Sequence, residues 1–307
     1  MVPMKVLTPR STPPQCPPSP SSPPPPKPAS PTINALLASG SSDLSIRGIY
    51  RNLSKVPPSL SSNPQFTAVQ GTVDDASTLD LSGTDILWTT TPQPAFEGDI
   101  FEHARKQTQN VADAVLKSGI GAIGTNHTAE QVLRSSALPQ AGIDLVIIRA
   151  VYFYENWASG LKTAALSDQP FIYSTITPAD KAVPHIATKD IGVASAAELL
   201  SSSPLPKNPY VFELHGPSYN SLDVKKAFEE AVGKEVELKP IPKEGLREYY
   251  SAVFPPHVAE KYAAMNESFL DGGILGRDPE PTGEVRKVGD RATGLAEVLK
   301  GLLEVQS

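Results

Sequence analysis

The run Asp144-Leu-Val-Ile-Ile-Arg149 constrains this chain more than any other stretch. Four consecutive apolar residues, most of them β-branched and none alternating with polar ones, suit a strand buried on both faces. Such a strand needs helices above and below it, which implies a parallel α/β sheet. Directly after it, Ala150-Val-Tyr-Phe-Tyr-Glu-Asn-Trp157 crowds aromatic, carboxylate, amide and indole groups together. Open α/β sheets hold their ligands just past the carboxyl ends of their strands. Two readings follow for Ile147 to Trp157: a strand running into a substrate pocket, or a strand end whose aromatics cap a core.

The flanking sequence alternates as a parallel sheet requires. Thr32 to Gly40 reads as a helix end with a glycine C-cap, and Ser45 to Tyr50 as a strand followed by Arg51 and Asn52. Gln65 to Gly71 is a second strand, after which Asp74 or Asp75 is placed to cap a short helical turn. Thr84 to Thr90 is a third, ending in the polar Thr91-Pro92-Gln93. From Gly98 to Gly119 an apolar stripe at helical spacing ends on glycine. The pattern then breaks. Ile120-Gly-Ala-Ile-Gly-Thr125 is too glycine-rich to read as a strand, so a helix at 128–134 follows with the return strand missing.

Beyond Trp157, Phe171 to Thr175 and Val183 to Ala187 read as short strands, and Asp190 as the cap of a helix over 191–200. Pro209 to His215 is a further buried strand. Ser221 to Gly233, Val258 to Leu270 and Thr293 to Val305 are helical, with a half-exposed strand at Glu235 to Lys239. The expected division is an arm at 1–31, a Rossmann-like domain at 32–157 that also draws on 180–217, and a smaller α+β lobe from 158 to 307.

From Pro9 to Pro31 roughly half the residues are proline, too little apolar surface to fold, so a disordered or polyproline-II arm is expected. Its Pro-x-x-Pro spacings suit an aromatic-groove partner, although a plain solvated tail accounts for the same composition. With 27 Lys and Arg against 33 Asp and Glu, the net charge of -6 argues against a nucleic-acid surface. A single cysteine, Cys16, excludes an intrachain disulfide and a cysteine-rich metal site. No segment reads as a signal peptide or a membrane span, so a cytoplasmic protein with no metal and no membrane partner is expected.

Several pieces together resemble the NmrA-like family of atypical short-chain dehydrogenases/reductases. They are 47–52, 69–75, 125–133, 147–157, 183–192 and 215–224, and it is their order and spacing that carries the likeness. The resemblance implies an NAD(P)-binding Rossmann fold with a small C-terminal substrate lobe, and either reductases or non-catalytic redox-sensing regulators. Arg51 matches the position that binds the 2′-phosphate of NADP, with NAD as the alternative cofactor. Thr90, Thr91, Pro92 and Gln93 match the loop under the ribose and pyrophosphate, Asn126 a ribose contact, and Phe153 the cofactor's edge. Tyr154, Glu155 and Asn156 match the substrate pocket, and His127 stands where a proton donor is needed. Asp190, His185 and His215 read as structural.

The departures are equally specific. Family members place a glycine-rich turn between the first strand and the first helix, so that backbone N–H groups reach the pyrophosphate. Here Met4-Lys-Val-Leu-Thr8 is a candidate first strand, but proline, which has no N–H, fills the following sequence. An incomplete sheet with impaired cofactor binding is therefore expected. Three functions follow: an NAD(P)-dependent reductase of a small carbonyl or unsaturated compound, a cofactor-sensing regulator that binds a protein partner, or an altered relative of a complete enzyme.

Overall fold

The computed structural model describes residues 29–90, 99–125, 127–252, 254–268, 270, 284–289 and 292–306. In chain order the elements are α1 (Ala29–Ala38), β1 (Ile46–Tyr50), α2 (Pro58–Ser61), β2 (Phe66–Gln70), β3 (Ile86–Trp88), α3 (Ile100–Ser118), β4 (Gly121–Thr125), α4 (His127–Ser135) and β5 (Leu145–Ala150). There follow β6 (Tyr152–Phe153), α5 (Leu161–Leu166), β7 (Phe171–Ser174), β8 (Val183–Ile186), α6 (Thr188–Leu200), β9 (Tyr210–His215) and β10 (Ser218–Tyr219). The last are α7 (Ser221–Val232), β11 (Glu237–Pro240), α8 (Leu246–Ser251), α9 (Pro256–Glu267), β12 (Glu284–Lys287) and α10 (Leu295–Gln306). They divide into two compact units, one drawn from Lys27–Ala150 and Ile191–Glu213, the other from Val151–Asp190 and Leu214–Ser307.

In the first unit β1 and β2 pair in parallel, as do β3 with β4 and β4 with β5, and β9 lies beside β5. Helices alternate with these strands, giving a Rossmann-like α/β architecture. Leu145, Val146, Ile147 and Ile148 are all buried, so this apolar run is covered on both faces. Leu145 and Ile147 share one core with Leu87, Val111, Val115 and Leu133, which places α3 and α4 on that face.

The expected loss of the strand after Gly119 is wrong. Gly121–Thr125 is β4, bonded between β3 and β5, with Ala122 opposite both Leu87 and Leu145. Two ready-made parallel edges supply backbone partners on both sides, and that context outweighs a poor intrinsic strand propensity. The sheet is divided at a different place. Among the described residues β1 and β2 form a sheet of their own, and no strand links β1 to β3. Ile49 nevertheless joins the same apolar core as Leu87. In the strand order of a doubly wound sheet this is the position of the first strand. The candidate first strand at Met4 to Thr8, Cys16 and most of the proline-rich arm lie outside the described residues.

Ala29, Ser30 and Pro31, expected in the arm, belong to α1. Proline is tolerated in a first helical turn, where its missing N–H has no partner to lose. That turn packs on α6 at Gly192, where a Cβ would come within 2.5 Å of the Pro31 carbonyl carbon and 2.7 Å of the Thr32 nitrogen.

The second unit contains the antiparallel and parallel set β10-β8-β6 and the parallel pair β11-β7. α7 opens with a capping box in which Asn220 and Asp223 bond each other's backbone, and ends on Gly233 at φ 70°. Val224, Phe228, Leu295 and Leu299 bring α7 and α10 into one core. Asp190 is not the cap of α6. The helix begins two residues earlier, and Asp190 accepts from the backbone N–H of Thr293 at 2.9 Å and its hydroxyl at 2.8 Å. No described helix is long and apolar enough to cross a membrane.

Candidate functional site

Three polar clusters stand out, two in the first unit and one in the second. In the first unit, β1 and β2 run parallel, so the loops after them leave the same edge, joined by the Gly71 N–H donating to Tyr50 O at 3.0 Å. Gly71 is needed there, since a Cβ would lie 2.6 Å from the Thr78 carbonyl oxygen. Arg51 follows β1 and meets the loop after β2. Its Nε donates to Thr72 Oγ1 at 3.1 Å, and its Nη2 donates to Asp74 Oδ2. Thr72 Oγ1 donates to the same carboxylate oxygen at 2.9 Å. The other oxygen, Oδ1, accepts from Gln107 Nε2 and lies 3.3 Å from His103 Nε2. Both of those side chains project from α3, and the neighbouring Asn110 bonds Val73 O at 2.9 Å.

Partial burial pushes the Asp74 carboxyl up, but bonds from Gln107 and Thr72 and the charges of Arg51 and His103 hold it below the usual range. The Arg51 and Asp74 side chains remain 29% and 36% exposed. Among the described residues Arg51 Nη1 makes no hydrogen bond.

A second ionic group in this unit went unread in the sequence. Glu130 on α4 is 3% exposed and accepts from Arg149 Nε at 2.8 Å and Nη2 at 2.6 Å, and from Arg134 Nη1 at 2.9 Å. Glu213 on β9 stands 3.8 Å from Arg149 Nη1. Burial raises the Glu130 pKa, yet the two guanidinium groups bring it below its ordinary value. The available signals were the Glu130/Arg134 spacing on one helix face and an arginine ending an apolar strand.

Of the other predicted cofactor residues, Thr90 is half-buried just beyond β3. Thr91, Gln93 and Asn126 lie outside the described residues. His127 is the first residue of α4, and its side chain likewise lies outside them.

In the second unit the segment after β5 folds back on β8 as a buried aromatic nest. His185 is fully buried; its Nε2 accepts from Trp157 Nε1 at 3.1 Å, and its Nδ1 donates to Val183 O at 2.7 Å. These partners fit the neutral ring, and burial pushes its pKa down to about 4. Tyr154, also fully buried, stacks on His185 at 5.9 Å, and Tyr152 meets its edge at 5.1 Å. Burial raises both phenols well above the ordinary tyrosine value, and Asn156 bonds Tyr152. Glu155 Oε1 accepts from the Thr188 backbone N–H at 2.9 Å and from its hydroxyl, so it caps α6. Burial drives the Glu155 pKa upward. Phe153 is half-buried opposite Ile186, while Asn156 is exposed. The structure thus brings Tyr154 and Glu155 together with His185 and Thr188. It joins Arg51 to Asp74, His103 and Gln107, of which only Asp74 drew attention in the sequence, as a helix cap. Among the described residues no three His, Cys, Asp or Glu side chains are placed to hold a metal ion.

No protein-family model and no curated protein matches the sequence. Solved structures do match in fold. Triphenylmethane reductase from Citrobacter sp., complexed with NADP(H), aligns with a TM-score of 0.69 at 17% identity, covering 90% of this chain and 96% of that one. An NADPH-dependent quinone oxidoreductase from Escherichia coli, complexed with NADPH, gives 0.67 at 18% identity over 90% and 96%. NmrA, a negative transcriptional regulator, gives 0.63 at 15% identity over 91% and 92%. At these identities the likeness is one of fold: the chain shares the α/β fold of these three proteins.

Proposed function

We propose that this chain is an NADP-binding oxidoreductase that reduces a small organic substrate, a carbonyl or unsaturated compound. The observation that carries the reading is Arg51, half-exposed at the carboxyl edge of β1 with its Nη1 unbonded among the described residues. That edge is where doubly wound sheets receive nucleotides, and a forked guanidinium suits a phosphate. Two of the fold neighbours carry NADP(H) or NADPH in their structures.

The residues at the adenosine end therefore fit the cofactor. Toward the pyrophosphate the fit is weaker, because the sequence before α1 offers proline in place of glycine N–H donors. When bound, NADPH supplies the hydride, and the protein supplies orientation and a proton. Arg51 would hold the 2′-phosphate. Thr90, Thr91, Gln93 and Asn126 would line the ribose side, with Phe153 at the edge. Tyr154, Glu155 and Asn156 would shape the substrate side, and His127 would donate the proton. Titration of intrinsic fluorescence with NADPH and NADH tests this: saturable NADPH binding is expected, and none at about millimolar cofactor overturns it.

A second reading, a non-catalytic NAD(P)-sensing regulator, is favoured by one feature. A general acid works best with a pKa near the operating pH, yet His185 is pushed to about 4 and the phenols of Tyr152 and Tyr154 are pushed up. This reading expects nucleotide binding without turnover, and partner capture that weakens when residues 1–31 are removed.

A further inference from the structure

We propose that Asp74 is the positioning residue that presents Arg51 to the 2′-phosphate, so that discrimination between NADP and NAD resides in the Arg51–Asp74 pair and not in Arg51 alone. The inference rests on the NADP-binding reading above and adds a specific residue to it.

A guanidinium carries five N–H donors on a rigid plane. On Arg51 the edge formed by Nε and Nη2 is docked, with Nε on Thr72 and Nη2 on Asp74. The remaining edge, at Nη1, carries no bond among the described residues, so the ion pair leaves donors for a second anion. Charge-assisted bonds to phosphate are strong when the donors are already aimed.

Asp74 is itself held from both sides. Thr72 donates to Oδ2 at 2.9 Å, while Gln107 and His103, one turn apart on α3, engage Oδ1. α3 is a 19-residue helix whose first turn is capped by Asp99 Oδ1, which accepts from the N–H groups of Phe101 and Glu102. A regular helix thus fixes a carboxylate, and the carboxylate fixes the guanidinium. The opposite possibility, that Asp74 competes with phosphate for Arg51, would require it to occupy the donors a phosphate needs. It takes only Nη2.

The test measures affinities of the full chain for NADP+ and NAD+ by calorimetry, for the wild type, Arg51→Ala, Asp74→Asn, Asp74→Glu and the Arg51→Ala/Asp74→Asn double variant. Arg51→Ala is expected to weaken NADP+ by about ten-fold or more and leave NAD+ within about two-fold. Asp74→Asn, which keeps the shape and removes the charge, is expected to weaken NADP+ by about three- to ten-fold with NAD+ again within about two-fold. Asp74→Glu should recover part of the loss. In the Arg51→Ala background Asp74→Asn should have no further effect, as coupling through one contact requires. NAD+ affinity reports whether each variant is folded. The inference is overturned if Asp74→Asn tightens NADP+, leaves it unchanged, weakens both nucleotides alike, or costs as much without Arg51 as with it. Failure of the wild type to bind either nucleotide is a different result, which overturns the NADP-binding reading itself.

Discussion

The cluster around Arg51 and the nest around His185 both draw on residues that follow a sheet strand, Arg51 after β1 and Tyr152 to Trp157 after β5, yet they have opposite physics. Around Arg51 the paired Arg51 and Asp74 side chains stay about a third exposed, the Asp74 carboxyl is held toward its charged form, and one guanidinium edge is unbonded among the described residues. Around His185 the ring is fully buried, both nitrogens are satisfied, and burial drives the group away from its charged form. The first arrangement costs little stability and can still bind something. The second contributes stability, and His185 itself has no bonding capacity left for a ligand, whereas Tyr154 Oη and Glu155 Oε2 beside it are buried without a hydrogen-bond partner among the described residues. Spare bonding capacity, more than proximity to a strand end, separates Arg51, which can still bind, from His185, which is scaffold.

The largest stability effect should come from a third group that combines both traits, charge and deep burial. Arg149→Leu leaves Glu130 buried with Arg134 as its one remaining partner among the described residues. Removing one member of a buried pair typically costs about 3–5 kcal/mol, and urea unfolding should show a loss of that size. A loss below about 1 kcal/mol would place this group with the exposed pairs instead.

His185 should come next, and its effect depends on pH in a definite direction. Its folded pKa, about 4, is depressed below the unfolded value of 6.5, so the unfolded chain binds the proton first. Its contribution is fully present above pH 6.5 and is lost as pH falls toward 4, by about 3 kcal/mol in all. Unfolding measured from pH 7.5 to 4 on the wild type and on His185→Phe should show that slope only in the wild type, along with a loss in the variant at neutral pH. Parallel pH profiles for the two proteins would mean that His185 is not held neutral.

The same contrast explains what could be read without a structure. The strand at Asp144 to Arg149, the helix ending at Gly119 and the capped helix from Ser221 are local signals: an apolar run, a periodic stripe, a capping box. β4 was illegible because its glycines carry no propensity, and its identity comes from the two strands beside it. The ionic clusters were illegible for a different reason. Asp74 and Gln107 are 33 residues apart, and Glu130 and Arg149 are 19 apart, so nothing local links them. The resemblance singles out Arg51 at its place after a strand, but not what holds it. The resemblance implies a pocket role for Glu155, and the structure adds that one of its oxygens caps α6.

The smallest stability effect, and the one that bears most on function, belongs to Arg51. An ion pair exposed to this degree is worth about 0–1 kcal/mol, because solvent screens the charges and two flexible side chains must be ordered. Arg51→Ala should therefore leave urea unfolding within about 0.5 kcal/mol of the wild type. A small residual cost would come from Asp74, which keeps Thr72 and Gln107 as donors and so is not stranded when the guanidinium leaves. Salt supplies a second check: whatever the pair contributes should shrink between about 0.05 and 0.5 M sodium chloride, while the contribution of His185, which has no charge to screen at neutral pH, should not. A loss of several kcal/mol in Arg51→Ala would mean that the cluster is scaffold like the aromatic nest, with Arg51 a strut between β1 and the loop after β2. A negligible loss leaves a costly-to-order arginine whose presence the fold does not require, and that is the property expected of a residue kept for a ligand.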